Sequence, residues 1–534
     1  MKKYLLFLVF VLLLFVAGAQ DAVTYTYTLK NSDKTKFDKA VADYARGRYK
    51  QSAEVLRALS AKYPQDPDIF FYLGLNAVKK DFNVTGIRRY FTKVIELNAA
   101  YPDAVAHFYM GVIHYTDDLF EEAVNDFNHY FERANNGGTA ASDELYMEAS
   151  NYLYWSQFLA EASRNVAPFD PKVVSGLSSS EDEVMPYITW DGKNAYFLRY
   201  VVKNDRATFY TRELAERELK LFVSHRRDTA FAPGKMLPAP FNQGDPEGGV
   251  TVTADNNTLF YSVIRKARGY NNSDIYVTTM SENGWQPIRN LGDSVNGMDT
   301  WESQPSVTPD GQWLYFASNR KGGMGGTDIW RCHRKADGSW GQPQNLGSAV
   351  NTAGNEKCPF IHADGHTLYF ASNGWQGFGG YDMYFVNLDE SGEPRPINMG
   401  LPINTEEDDI CFGVTADGQQ AYYAGKSPQD GVGGTDVMLF DLYPAARPEA
   451  MRFYRGVVSS SDGKPLEAAI QVSHDSQEPA LYLTDPEGNF VIMVSSKNTS
   501  VLTVKAQGYR DTVLSIPAAS HKTAPPPSVI TLYR

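Results

Sequence analysis

Residues 305–330 read PSVTPDGQWLYFASNRKGGMGGTDIW. Asp310-Gly311 is a tight-turn dipeptide, because glycine in the second place accepts a positive φ. Five and six residues after the Asp comes an aromatic pair, Tyr315-Phe316, and a Gly-Gly-Thr phrase then opens the apolar run Asp328-Ile329-Trp330. Each part recurs. The turn returns as Asp191-Gly192, Asp255-Asn256, Asp364-Gly365 and Asp417-Gly418, and the pair as Tyr196-Phe197, Phe260-Tyr261, Tyr369-Phe370 and Tyr422-Tyr423. Asp274, Asp328, Asp382 and Asp436 follow at intervals of 54, 54 and 54 (328 − 274, 382 − 328, 436 − 382). Neighbouring strand residues face opposite ways, so each aromatic pair offers one ring to either adjoining sheet. A strand-and-turn unit repeated at this period predicts a β-propeller over about 171–442, with five blades rather than six.

The ends of the repeat predict how the ring closes. A step of 54 back from Asp274 reaches Lys220-Leu221-Phe222, which keeps the strand and loses the Asp, and the segment from Tyr200 to Arg217 swells that blade. Outer strands end in Asn290-Leu291-Gly292, Asn345-Leu346-Gly347 and, as a variant, Asn398-Met399-Gly400. The fifth blade has no such strand, since Pro444 and Pro448 follow its third. Pro171-Lys172-Val173-Val174 is predicted to supply it and to remove exposed sheet edges.

Residues 33–165 read as helices. Small and aromatic residues recur at set offsets: Tyr44 and Ala53, then Gly74, Gly86 and Tyr90, then Gly111, Ala123 and Phe127, with Pro64 and Pro102 at the junctions. In the last two sets the small residues are 12 apart and the aromatic follows 4 later (86 − 74, 123 − 111; 90 − 86, 127 − 123), which lets helices cross closely. The spacing resembles tetratricopeptide repeats, with departures at Ala77 and His114. That resemblance implies a TPR-like α-solenoid with a concave peptide-binding face. A last helix from Ser142-Asp143-Glu144, carrying Leu145, Ala149, Tyr152, Leu153 and Leu159, reads as its cap.

From about 453 to 534, Gly456-Val457-Val458, Asp462-Gly463-Lys464-Pro465-Leu466, Thr484-Asp485-Pro486-Glu487-Gly488-Asn489-Phe490 and Gly508-Tyr509 follow in order. They resemble the carboxypeptidase-regulatory-like domain. The resemblance implies a transthyretin-like β-sandwich in which these motifs are turns and strand starts. The expected fold class is therefore multidomain, α plus all-β.

At 534 residues, 43% hydrophobic and 21% charged, the chain has the composition of a soluble protein of several domains. A net charge of -13 without any Lys/Arg-rich run excludes nucleic acid as an expected partner. Lys2-Lys3, the apolar stretch Leu5 to Val16 and Ala17-Gly18-Ala19 predict a signal peptide at 1–19. No cysteine adjoins it, so a lipoprotein is not expected, and no later stretch reads as a transmembrane helix. The expected location is the periplasm. Three cysteines exclude a disulfide framework. Cys358 and Cys411 each stand six residues before a turn Asp (364 − 358, 417 − 411), at equivalent places on neighbouring blades. They are open to two readings, one disulfide or two small buried side chains.

Eight residues before each turn Asp stands an acid: Glu183, Glu247, Glu302, Glu356 and Asp409 (191 − 183, 255 − 247, 310 − 302, 364 − 356, 417 − 409). Around one mouth of a channel they form a candidate cation site or a socket for a basic partner group. Alternatively each is paired with backbone amides or a neighbouring blade's Lys or Arg. Their number and uniform origin do not suit a metal site with a defined ligand set. Asp274, Asp328, Asp382 and Asp436, three of them behind Gly-Gly phrases, read as structural turns whose carboxylates fix loop amides. No helix follows them to make a phosphate cradle. Gly425-Lys426-Ser427 has Gln420 where a P-loop needs its upstream glycine. No G-x-S-x-G, H-E-x-x-H or C-x-x-C occurs, and His225, His333, His362 and His366 share no recurrent spacing. No catalytic residue and no cofactor is expected.

The order of parts resembles the multidomain periplasmic accessory proteins of the type IX secretion and gliding machinery. Residues 305–311 and 314–316 carry their TolB-like (PD40, WD40-like) repeat. The resemblance implies a non-enzymatic scaffold or adaptor in a cell-envelope complex. Its partners would be other envelope or secretion-complex proteins, held through the helical groove and the propeller face. Members of that group commonly add a lipobox cysteine and an OmpA-like domain, which this chain lacks, so direct peptidoglycan binding is not expected. Two other functions stay open: a module binding a glycan, peptide or cation at the propeller mouth, and a hydrolase or lyase with a propeller site.

Overall fold

The computed structural model describes residues 29–534 apart from 81, 99–100, 136–141, 203–216, 244–246, 268–269, 390–393, 427–430, 474–478 and 520–527. The signal-peptide stretch and most of the Tyr200 to Arg217 insertion lie outside the described residues. The chain divides into two compact units, Met1–Val166 and Ala167–Arg534.

Seven helices are described in the first unit: α1 (Asn31–Ala45), α2 (Tyr49–Lys62), α3 (Pro67–Lys79), α4 (Val84–Leu97), α5 (Val105–Thr116), α6 (Phe120–Asn135) and α7 (Asp143–Arg164). Each packs on the next in sequence. The starts are set locally: the Asp66 carboxylate accepts the Asp68 N–H ahead of Pro67, Asn83 caps the Gly86 N–H, and Ser142 caps Leu145 as expected.

Gly74 and Gly111 sit where helices cross. A Cβ on Gly74 would lie 2.5 Å from the Phe91 ring, and one on Gly111 2.8 Å from Phe127. The ring against Gly74 is thus Phe91, while Tyr90, the aromatic read in that set, is half-buried. The connection from α3 to α4 is one residue longer than that from α5 to α6 (80–83 against 117–119), which moves the contacting ring one place on.

The second unit opens with five antiparallel sheets. Their leading strands are Glu183–Ile188, Glu247–Val252, Glu302–Val307, Glu356–Ile361 and Gly413–Val414. In every case the next two strands pair antiparallel in chain order, and a short outer strand lies beyond them. In the fifth sheet that outer strand is Lys172–Val173, with Lys172 opposite Leu439 and Val173 opposite Met438, as the missing strand required. The turn residues Gly192, Asn256, Gly311, Gly365 and Gly418 all have positive φ (66°, 61°, 71°, 83° and 67°). The aromatic pairs are buried, except that Tyr423 is half-buried.

Contacts join the leading strands in cyclic order, first to second, second to third and third to fourth, with the fifth sheet returning to the first. A disulfide between Cys358 and Cys411 joins the fourth to the fifth. Two further sheets follow. One is three-stranded, in the order Asn489–Ser495, Met451–Ser460, Ser528–Leu532; the other is four-stranded, in the order Ala480–Leu483, Ala469–Ser473, Ser500–Lys505, Thr512–Ile516. Gly463, Gly488 and Gly508, from the motifs read as turns, have φ of 80°, 77° and 83°.

Candidate functional site

Four of the five acids stand in described surroundings, and each is taken up by its own sheet. Glu183, Glu302 and Glu356 begin their leading strands and are completely buried. Glu183 accepts the Ser179 N–H (3.1 Å), the Ser179 hydroxyl (2.6 Å) and Arg199 Nε (2.7 Å). Glu302 accepts from Gly297 N (2.7 Å), Thr300 Oγ1 (2.8 Å) and Ser318 Oγ (2.6 Å), with the Arg320 guanidinium at 3.0 Å. Glu356 repeats the pattern with Thr352 N (3.0 Å), Thr352 Oγ1 (2.7 Å) and Ser372 Oγ (2.6 Å).

Arg199, Ser318 and Ser372 are the cross-strand partners of these acids, so ladder register alone delivers the donors. Asp409 accepts Thr405 N (2.6 Å) and Thr405 Oγ1 (3.1 Å). The Glu247 side chain lies outside the described residues. Burial raises the carboxyls of Glu183 and Glu356 and pushes Asp409 up to about 6, against donors that favour their charged forms. Of the two readings of these acids, the geometry is that of local pairing. Among the described residues no three His, Cys, Asp or Glu gather closely enough to hold a metal ion.

The Gly-Gly phrases act between sheets. Asp328 accepts Gly325 N (3.0 Å) and Asn345 Nδ2 (2.7 Å), Asp382 accepts Phe378 N (2.6 Å) and Asp436 accepts Val432 N (2.9 Å). Asp274 accepts Asn290 Nδ2 at 2.8 Å, as Asp328 does from Asn345. The loop so pinned hydrogen-bonds to the approach of the next sheet's leading strand. Gly326 N donates to Gly354 O (2.8 Å) and Glu356 N to Thr327 O (2.7 Å); Asp409 N donates to Tyr381 O (2.7 Å), and Glu183 N to Thr435 O (2.9 Å). A Cβ on Gly325, Gly379 or Gly433 would run into the carbonyls of Gly354, Glu407 or Glu181. The last of these latches ties the fifth sheet to the first.

A further repeat escaped the sequence reading. Asn242, Asn296, Asn351 and Asn404 each bridge the N–H and C=O of one residue on a third strand, at Leu221, Ile275, Ile329 and Met383. Their spacings of 54, 55 and 53 (296 − 242, 351 − 296, 404 − 351) were the available signal. Ser178 takes part of that place in the fifth sheet, accepting Val437 N at 3.1 Å.

Where the leading strands meet, the ladder is bulged at Met185, Gly249, Gln304 and Cys358, whose φ values are 50°, 55°, 55° and 49°. Cys411, at 60°, holds the fifth such place. They line a cavity of about 50 Å³, room for a few waters and not for a sugar ring. Cys358 and Cys411 are bonded there, while Cys332 is buried and free, its thiol pushed up to about 12 by burial.

At the opposite ends of the sheets, the turns at Asp310 and Asp364 are covered. Leu481 N donates to Asp310 Oδ2 (2.9 Å), Glu449 N to Asp364 Oδ2 (3.1 Å) and the Tyr369 hydroxyl to Ala446 O (2.6 Å). His362 and His366 flank Asp364, their imidazoles holding its carboxyl well below the usual range despite its burial.

No family model matches the chain, and no curated protein does either. Solved structures similar to parts of it include the Yersinia enterocolitica type III secretion translocator chaperone SycD, at 16% identity and TM-score 0.21 over 27% of this chain and 98% of that one. A glycoside hydrolase is similar at 9% identity and TM-score 0.34 over 55% of this chain and 96% of that one. A puromycin hydrolase is similar at 14% identity and TM-score 0.29, over 58% and 45% respectively. Values this low assign neither an activity nor a ligand to this chain.

Proposed function

We propose that the chain is a non-enzymatic scaffold of a bacterial cell-envelope complex, exported to the periplasm and associated with type IX protein secretion. In this reading the helices are a TPR-like solenoid, the five sheets a five-bladed propeller of TolB-like repeats, and the last two sheets a transthyretin-like sandwich. The observation that carries it is the use of the repeated polar groups. The buried Glu183, Glu302 and Glu356, and the loop aspartates, spend their hydrogen bonds on joining strand to strand and sheet to sheet. Groups so engaged build a rigid platform. A ligand site at the centre of the sheets is supported less well, because the cavity there holds only about 50 Å³. The Cys358–Cys411 bond fits an oxidising compartment, in keeping with export.

The test is affinity capture of the tagged full-length chain from the native envelope. A reproducible complex with envelope or secretion proteins is expected. Turnover of a peptide or glycoside, abolished by changing one carboxylate, would overturn the proposal.

A further inference from the structure

In three consecutive sheets the residue four places before the loop Asp is apolar: Met324, Phe378 and Val432 (328 − 4, 382 − 4, 436 − 4). Each gives its backbone N–H to that Asp. A serine or asparagine would supply the same N–H, so the turn itself does not call for an apolar side chain. Met324 is nevertheless 47% exposed and Val432 57%, with Phe378 half-buried. Met298, in the loop leading to Glu302, is 86% exposed at the same end of the sheets. Apolar side chains on pinned backbones lose little freedom when they bind, and methionine adapts its shape to what it meets.

Beside them, acids outnumber cations among the described residues. Among the described residues at this end, Asp293, Asp299, Glu406, Glu407 and Asp408 are exposed acids, against exposed Lys321, Lys426 and Arg217, the last paired with Asp182. That surplus of acid disfavours anionic lipid and nucleic acid. A second copy would bring the same acids and a further charge of -13. The other end is already covered at the third and fourth sheets through Leu481, Glu449 and Ala446.

We infer that the loop end of the sheets docks a protein segment whose apolar side chains are flanked by Lys or Arg. The inference rests on the scaffold reading and adds to it the face used and the chemistry of the partner. The pegs fill apolar recesses on the partner while the surrounding acids steer it in and fix its register.

The experiment places a photo-crosslinking amino acid at position 324 or 432 of the full-length chain in cells that make it, with position 336 (Ala336, exposed on another loop) as control. Cross-linked peptides are then identified by mass spectrometry. The expected result is a link from 324 and 432, and none from 336, to a segment of another protein with net positive charge. The purified partner is expected to bind the double variant Met324→Ser, Val432→Ser at least tenfold more weakly. A link to a second copy or to an acidic segment overturns the inference, as does unchanged affinity of the double variant. An intact captured complex without any link at 324 or 432 overturns it and leaves the scaffold reading standing. Capture of no complex at all removes the scaffold reading, and this inference with it.

Discussion

At the scale of single residues, the loop glycines answer to their neighbours more than to their own φ. Gly325 faces the carbonyls of Gly354 and Thr352, whereas Gly322, with φ of 90°, has nothing near the place of a Cβ. Gly325→Ala must therefore displace the next sheet's backbone and is expected to cost about 2–4 kcal/mol. Gly322→Ala meets only the strain of a left-handed residue, about 1 kcal/mol. Urea unfolding of the two variants checks the order, and equal costs would remove the latch from the account.

Asp382 supplies a pH test at the same scale. Burial pushes its carboxyl up to about 7, against two backbone N–H donors that favour the charged form. The folded chain thus keeps a proton that the unfolded chain releases near pH 4. This contribution to stability is fully present below about pH 4 and is lost as pH rises through about 7. Relative to the wild type, Asp382→Asn is expected to flatten the fall of stability between pH 4 and 7 by up to about 1.4 kcal/mol per pH unit. Parallel profiles would contradict it.

At the scale of elements, the fifth sheet is the weak segment of the cycle. Its leading strand, Gly413–Val414, has two residues where the other four have six. The covalent Cys358–Cys411 link ties that short strand to the fourth sheet, and the outer strand of this sheet is borrowed from Lys172–Val173. Replacing both cysteines with serine is expected to cost about 2–4 kcal/mol by freeing a loop of some fifty residues in the unfolded chain. Thermal melting and limited proteolysis of the fifth sheet would register it. The turns, the aromatic pairs and the borrowed strand were legible because each is a local pattern or a counted absence. The place of Phe91 against Gly74 was not, because one added residue in a connection shifts a helix by a rotation that residue spacing alone does not record.

At the scale of the molecule, one of the apolar clusters of the second unit runs from Leu177 and Tyr196 through Tyr369 and Phe412 into Met451, Tyr454 and Phe490. Removing residues 449–534 would uncover that cluster and leave Asp310 and Asp364 without the N–H groups of Leu481 and Glu449. The shortened chain is expected to melt at least several degrees lower than the full chain and to aggregate. Equal melting temperatures in calorimetry would mean that the last two sheets add nothing to the other five.

The amino-acid order by itself determined the period, the turns, the strand faces and the strand missing from the fifth sheet. These follow from alternation along a strand and from the few residues that tolerate a positive φ. Tertiary structure alone decided what Glu183, Glu302, Glu356 and Asp409 do. A carboxylate eight residues before a turn is the same in sequence whether it faces a channel or a serine across the strand. Only the ladder register and the burial of Glu183, Glu302 and Glu356 separate the two. It also decided that the two cysteines are joined and that the turns at Asp310 and Asp364 are covered, since both depend on residues brought together from distant parts of the chain.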